Sequence, residues 1–216
     1  MTETQTPVRT TREALIASAI RLFGRNGYAG TSTREISAEA GTNVAAIGYH
    51  FGGKAALRDA CAEAVAARLS AVLDQGPEPA APDAETATRE LEATVRAMVR
   101  FLTLDPAAGE IAAFMLREIT GPGQVPAAIY DGLIEPRHRA LCRLWAAATG
   151  GEPESEATRL AVFALIGQVV YFRIGQPIIV RRMGWDGVGA AEAGRIADLL
   201  VANLHAALAA ARRTAQ

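Results

Sequence analysis

The sequence predicts an all-α chain: an N-terminal three-helix domain holding a helix-turn-helix, followed by a larger C-terminal helical domain. Three observations carry this. Apolar residues recur at three- and four-residue spacings along most of the chain, the period of a helix with one buried face. Glycine and proline gather in short clusters between those segments, as in GRNGYAG, QGPEPAAPD, TGPG and TGGEPES. No strand-rich run or internal repeat interrupts the pattern. With 216 residues, half of them hydrophobic, the chain can bury a small core and a larger one.

The first helix begins near Thr10 or Thr11, sets Leu15, Ala19, Leu22 and Phe23 on one face, and stops at GRNGYAG. Ser32 opens the second helix, roughly Thr33 to Ala40, with Glu35 as its capping-box partner and Ile36 and Ala40 as its inward stripe. Gly41 supplies the turn. Asn43, a strong N-cap type, starts a third helix through Tyr49 with Ile47 facing inward, and Gly52-Gly53 ends it after Phe51. A long amphipathic helix follows from about Lys54 to Leu73, then the loop QGPEPAAPD. Further helices are expected at about 85 to 104, 107 to 120, 125 to 149, 155 to 175 and 189 to 213, with GQPIIVRRMGWDGVG irregular. The domains are drawn as residues 1–54 and 55–216.

Two short helices joined by a tight glycine turn form a device for reading DNA. The residues sharpen this: NVAAIGYHFGGKAAL, preceded by LFGRNGYAGTSTREISAEAG, closely resembles the N-terminal DNA-binding domain of TetR-family transcriptional regulators over about residues 10 to 60. Within the second domain, FMLREITGPG, IEPRHRALCRL and IGQVVYFRIGQP resemble the CecR-like subgroup of that family. The resemblance implies a homodimer, paired through the last two long helices into a four-helix bundle, and a repressor released from its double-stranded DNA operator by a small-molecule effector.

Charge distribution agrees with a nucleic-acid partner although the net charge is only −1. Residues 1 to 58 carry seven Lys/Arg against four acids, while the rest of the chain has 15 against 19. The N-terminus has no apolar signal-peptide core, and no run of 18 uninterrupted apolar residues occurs, so a cytoplasmic protein without a membrane partner is expected. Cys61 and Cys142 lack metal-ligand spacing and read as buried thiols rather than a redox pair. No metal or cofactor is expected. An enzyme reading finds no GxSxG elbow, no phosphate loop after a strand and no HExxH. An architectural DNA binder without a ligand would leave three quarters of the chain unexplained.

In the third helix Val44, Ala45, Ala46 and Gly48 are short, so its backbone can enter the major groove deeply. Base selection then falls to Thr42 or Asn43 hydrogen bonding, to Ala45 or Ala46 against thymine methyls, and to Arg34 from the second helix. Asn43 could equally be only a helix cap. Gly48 costs about 1 kcal/mol relative to alanine, tolerated either for close approach to DNA or for packing. Tyr49, His50 and Lys54 match the family positions that grip phosphate, with Thr33 and Arg34 adding contacts. For the effector, polar side chains on apolar helices single out Phe114, Arg117, Trp145, Gln168, Tyr171 and Arg173, with Met115, Glu118, Tyr130 and His138 as further candidates; Arg117 could instead pair with an acid such as Glu118. Broad apolar faces at Leu160, Phe163, Ala164, Gly167 and Val170, and at Ile196, Leu199, Leu200, Asn203, Leu204 and Leu208, either meet a second subunit or fill the monomer's core.

Overall fold

The computed structural model describes residues 10–73, 82–121 and 125–214, and all regular structure among them is helical. The chain divides into two compact units, residues 1–66 with 110–129, and residues 67–109 with 130–216.

The first unit contains α1 (Thr11–Asn26), α2 (Thr33–Glu39), α3 (Ala45–Phe51), the first part of α4 (Lys54–Leu73), most of α6 (Ala108–Thr120) and α7 (Ala127–Ile129). Helix α1 opens on a reciprocal cap, Thr10 Oγ1 accepting from the Glu13 N–H while the Thr10 N–H donates to Glu13 Oε2 at 2.9 Å. Its face buries Leu15, Ala19 and Phe23 completely, with Ile36, Ile47, Leu57 and Phe114 completing the core of the unit. Buried Thr31 donates to the carbonyls of Leu22 and Gly27, at 3.2 and 2.9 Å, and so closes the turn after α1.

Helix α6 belongs to this unit through contacts no local pattern announces. Gly24 of α1 lies so close that a Cβ there would sit 3.0 Å from the Phe114 amide nitrogen and 3.2 Å from the Ala113 Cβ. Arg117 Nη2 donates to the Arg25 carbonyl at 3.2 Å. Arg58 of α4 grips both carboxylate oxygens of buried Glu118, Nε donating to Oε1 at 3.1 Å and to Oε2 at 2.9 Å and Nη2 to Oε2 at 2.5 Å, which raises the Arg58 pKa. Removing Arg58 would strand the buried carboxylate, which is why such a pair is costly to break from that side.

The second unit contains α5 (Ala84–Leu104), a π-helical turn (Tyr130–Ile134), α8 (Glu135–Thr149), α9 (Glu156–Ile174), α10 (Gln176–Met183) and α11 (Ala190–Thr214). Leu91, Val95 and Val99 of α5 pack with Cys142 and Trp145 of α8, Val162 and Val169 of α9, and Ile196, Leu200, Leu204 and Leu208 of α11. Asp83 caps α5 by accepting the Thr86 N–H at 2.7 Å.

Two expectations change here, and for one stripe an open alternative is decided. The segment expected to be irregular contains α10, with Pro177 in its first turn, where a missing N–H costs nothing, and Gly184 at φ +67° ending it. The single helix expected from 125 to 149 is broken by the π turn before α8. The α11 stripe of Ile196, Leu200, Leu204 and Leu208 fills the unit's own core, leaving Leu199 and Asn203 exposed. Most of the expected loop at 75 to 83 lies outside the described residues. Both cysteines are buried thiols, and burial pushes the thiol pKa of each upward.

Candidate nucleic-acid interface

The interface is built on α2 and α3. Ser32 Oγ accepts the Glu35 N–H, and the Ser32 N–H donates to Glu35 Oε2 at 2.7 Å. That backbone hydrogen bond holds the Glu35 carboxyl below its usual range. Between the helices Gly41 takes φ +66°, a conformation other residues adopt only with strain, and the Thr42 N–H donates back to the Ser37 carbonyl at 2.9 Å. Helix α3 is then anchored by Ile47 alone, 2% exposed; its other residues are exposed or half-buried. The Gly52 N–H closes its end on the Gly48 carbonyl at 2.8 Å.

Most of the residues expected to read bases are exposed. Asn43, Val44, Ala45 and Gly48 are exposed, while Thr42 and Ala46 are half-buried. Asn43 Oδ1 accepts the Ala46 N–H at 2.9 Å, so its oxygen is engaged at the start of the helix while its side-chain N–H groups have no partner among the described residues. A Cβ added at Gly48 would meet nothing within 4 Å, which removes internal packing as the reason for a glycine there. Arg34 is exposed at the start of α2, beside half-buried Thr33.

Of the residues expected to grip phosphate, Tyr49 is 86% exposed and the exposed His50 ring meets it edge-on with centroids 5.0 Å apart. Lys54 is more constrained than its sequence position suggests. Its Nζ donates to the Tyr28 carbonyl at 2.5 Å and lies 4.2 Å from the centre of the Tyr28 ring. An ammonium has three donors, so others remain for a ligand. Sequence reasoning missed Tyr28, read only as part of a turn, although its ring also underlies Arg58 at 5.1 Å; it missed Arg12 as well, whose guanidinium lies over the Phe51 ring at 5.3 Å. Neither contact follows from local spacing.

The six residues singled out for an effector are divided between the two units. Phe114 is fully buried in the first unit, and Arg117 there is bonded to the Arg25 carbonyl rather than to Glu118. In the second unit Trp145 is core, and Gln168 Oε1 accepts from Asn203 Nδ2 at 3.0 Å. Arg173 Nη1 donates to Gln176 Oε1 at 3.0 Å, and its guanidinium lies against Gly109, where a Cβ would collide with it. Tyr171 edges a cleft of about 620 Å³ shared by α9, α10 and α11. His138, another candidate, is packed inward, its Nε2 3.2 Å from the Arg159 carbonyl, its Nδ1 3.6 Å from Cys142 Sγ and its ring stacked on Phe163.

A capped helix, a glycine turn and a second helix held by one buried side chain, with its remaining surface turned outward, define a helix-turn-helix DNA-binding protein. Comparison with known proteins gives the same class. The model of the TetR family of bacterial regulatory proteins matches residues 15–61, spanning every candidate DNA contact, and the C-terminal domain model of the transcriptional dual regulator CecR matches residues 87–211. The HTH-type transcriptional dual regulator CecR of Shigella flexneri is 35% identical over 181 residues, covering 81% of this chain and 80% of that protein. The fold is shared with AibR, solved in complex with isovaleryl coenzyme A and operator DNA, at a TM-score of 0.62, 21% identity, and coverage of 89% of this chain and 96% of that one. PfmR of Thermus thermophilus shares it too, at 0.59 and 21%, with coverage of 93% and 97%. The chain belongs to the TetR family of transcriptional regulators and carries a C-terminal domain of the CecR type.

Proposed function

We propose that this regulator is a homodimeric repressor whose two α3 helices occupy successive major grooves of a near-palindromic operator, and that a small-molecule effector acting on the second domain releases it. The observation that carries the DNA half is α3: Ile47 anchors it, and Asn43, Val44, Ala45, Gly48, Tyr49 and His50 are all exposed. One such helix makes too few base contacts to select a genomic site, and a twofold pair doubles them.

The dimer half rests on surface chemistry. Leu160 and Phe163 of α9 and Leu199 of α11 are 60%, 53% and 53% exposed, and the same two helices expose the small residues Ala164, Gly167, Ala206 and Ala207, which permit close approach of a second helix pair. Helix α9 has the length and apolar composition of a membrane span; with only part of it buried in the chain, a partner helix pair accounts for the remainder. The effector half is supported by similarity, since AibR was solved with both an acyl-CoA and its operator.

The test is footprinting on the DNA upstream of the protein's own gene, followed by titration of the protected duplex at rising salt. A twofold-symmetric footprint and an affinity that falls about a thousandfold or more between 50 and 200 mM salt are expected for six to ten phosphate contacts. Salt-independent binding, or no preference over random duplex, overturns the reading. CecR is described as a dual regulator, so transcription from the footprinted promoter is measured in both directions.

A further inference from the structure

We infer that α10 is a clasp that a second copy of this chain closes over, an inference that rests on the homodimer reading above and extends its contact beyond α9 and α11. Helix α10 contributes no buried side chain to its own unit, and its Ile178 and Met183 are 67% and 57% exposed. An eight-residue helix does not hold itself together in water and needs an apolar face covered. It lines the cleft of about 620 Å³ together with Trp185 and Leu199. From there exposed apolar surface continues along α9 through Ile174 and Tyr171 to Phe163 and Leu160. A small ligand would fill the cleft and leave most of that surface wet; a second copy covers both.

Charge points to the same occupant. Among the described residues, neither Arg182 at the end of α10 nor exposed Asp186 just beyond it has an ion pair, whereas Arg195 nearby is held by Glu192 at 2.8 Å. A twofold axis sets a patch against its own copy, so an unpaired cation beside an unpaired acid is self-complementary. Arg182 of each copy then faces Asp186 of the other.

Sedimentation velocity on the full chain tests this. Ile178→Asp and Met183→Asp each raise the dimer dissociation constant about a hundredfold or more, because every substitution is made twice per dimer, while helical content by circular dichroism is unchanged. Arg182→Asp and Asp186→Arg each weaken the dimer alone. Mixed together they form a hetero-pair in excess over either homodimer, since both of its charge crossings are then opposite in sign; a pair formed within one chain gives no such excess. If Leu199→Asp breaks the dimer while the α10 variants do not, or if mixing gives no excess of hetero-pair, the clasp is refuted and the dimer stands. A wild-type chain that is monomeric at all concentrations refutes both.

Discussion

Replacing Gly48 by alanine separates what α3 needs for folding from what it needs for DNA. The position is inside a helix, has no positive φ, and offers an added Cβ open space to 4 Å. Nothing in the free protein resists the methyl, so the helix gains the propensity difference between the two residues, about 1 kcal/mol. For a chain of this size that is a rise in thermal midpoint of about 2 to 4 °C. On DNA the sign reverses. Gly48 lies on the outward surface with Ala45 and Tyr49, and a methyl there holds the helix away from the groove floor, costing about one base pair's worth of contact, 1 to 3 kcal/mol. Differential scanning calorimetry and fluorescence anisotropy on the footprinted duplex read the two effects separately. A variant that is more stable and binds the operator as tightly as the parent would refute the close-approach argument and leave Gly48 unexplained, since packing is already excluded.

Two other outcomes follow from the same geometry. Asn43→Ala removes the oxygen that accepts the Ala46 N–H and costs about 0.5 to 2 kcal/mol of helix stability; an operator scan that loses affinity equally at every base pair assigns Asn43 to capping, and loss confined to one base pair assigns it to reading. Glu35, Asp83 and Glu192 are each held below the ordinary carboxylate range chiefly by backbone N–H donors near a helix start. A carboxyl depressed on folding contributes stability above its unfolded pKa and loses it as pH falls through the folded value, so urea midpoints should fall on acidification below about pH 4. Glu35→Gln should flatten part of that decline, and an unchanged pH profile would show that the cap carries no protonation-linked stability.

What the sequence made legible is what depends on neighbours in the chain. Capping boxes, the Gly41 turn and the Ile47 anchor are decided within four or five residues, and each is present where local chemistry expects it. Helix α10 escaped because its punctuation, Gly175, Pro177 and Gly184, is the punctuation of a loop. The distinction lies in position, since a proline in a first turn and a glycine just past the last belong to a helix.

The effector candidates fall in different units for a different reason. Periodicity tells which face of a helix is apolar and says nothing about which other helix covers it, so a polar side chain on such a face can be a ligand contact or an internal tie. Arg117 and Arg173 turned out to be ties, to the Arg25 carbonyl and to Gln176, and Gln168 is tied to Asn203. The same blindness hid the most informative link in the first unit. Tyr28 lends its carbonyl and ring face to Lys54 and its ring to Arg58, Arg58 holds buried Glu118, and Glu118 lies on α6 one residue from Arg117, which is itself bonded to the end of α1. A cation beside the recognition helix is thus bound, through three side chains, to a helix distant in sequence but in the same unit. Any change that shifts α6 must either break the Arg58–Glu118 fork, stranding a buried carboxylate, or carry α4 and Lys54 with it. Of the two, moving together costs less.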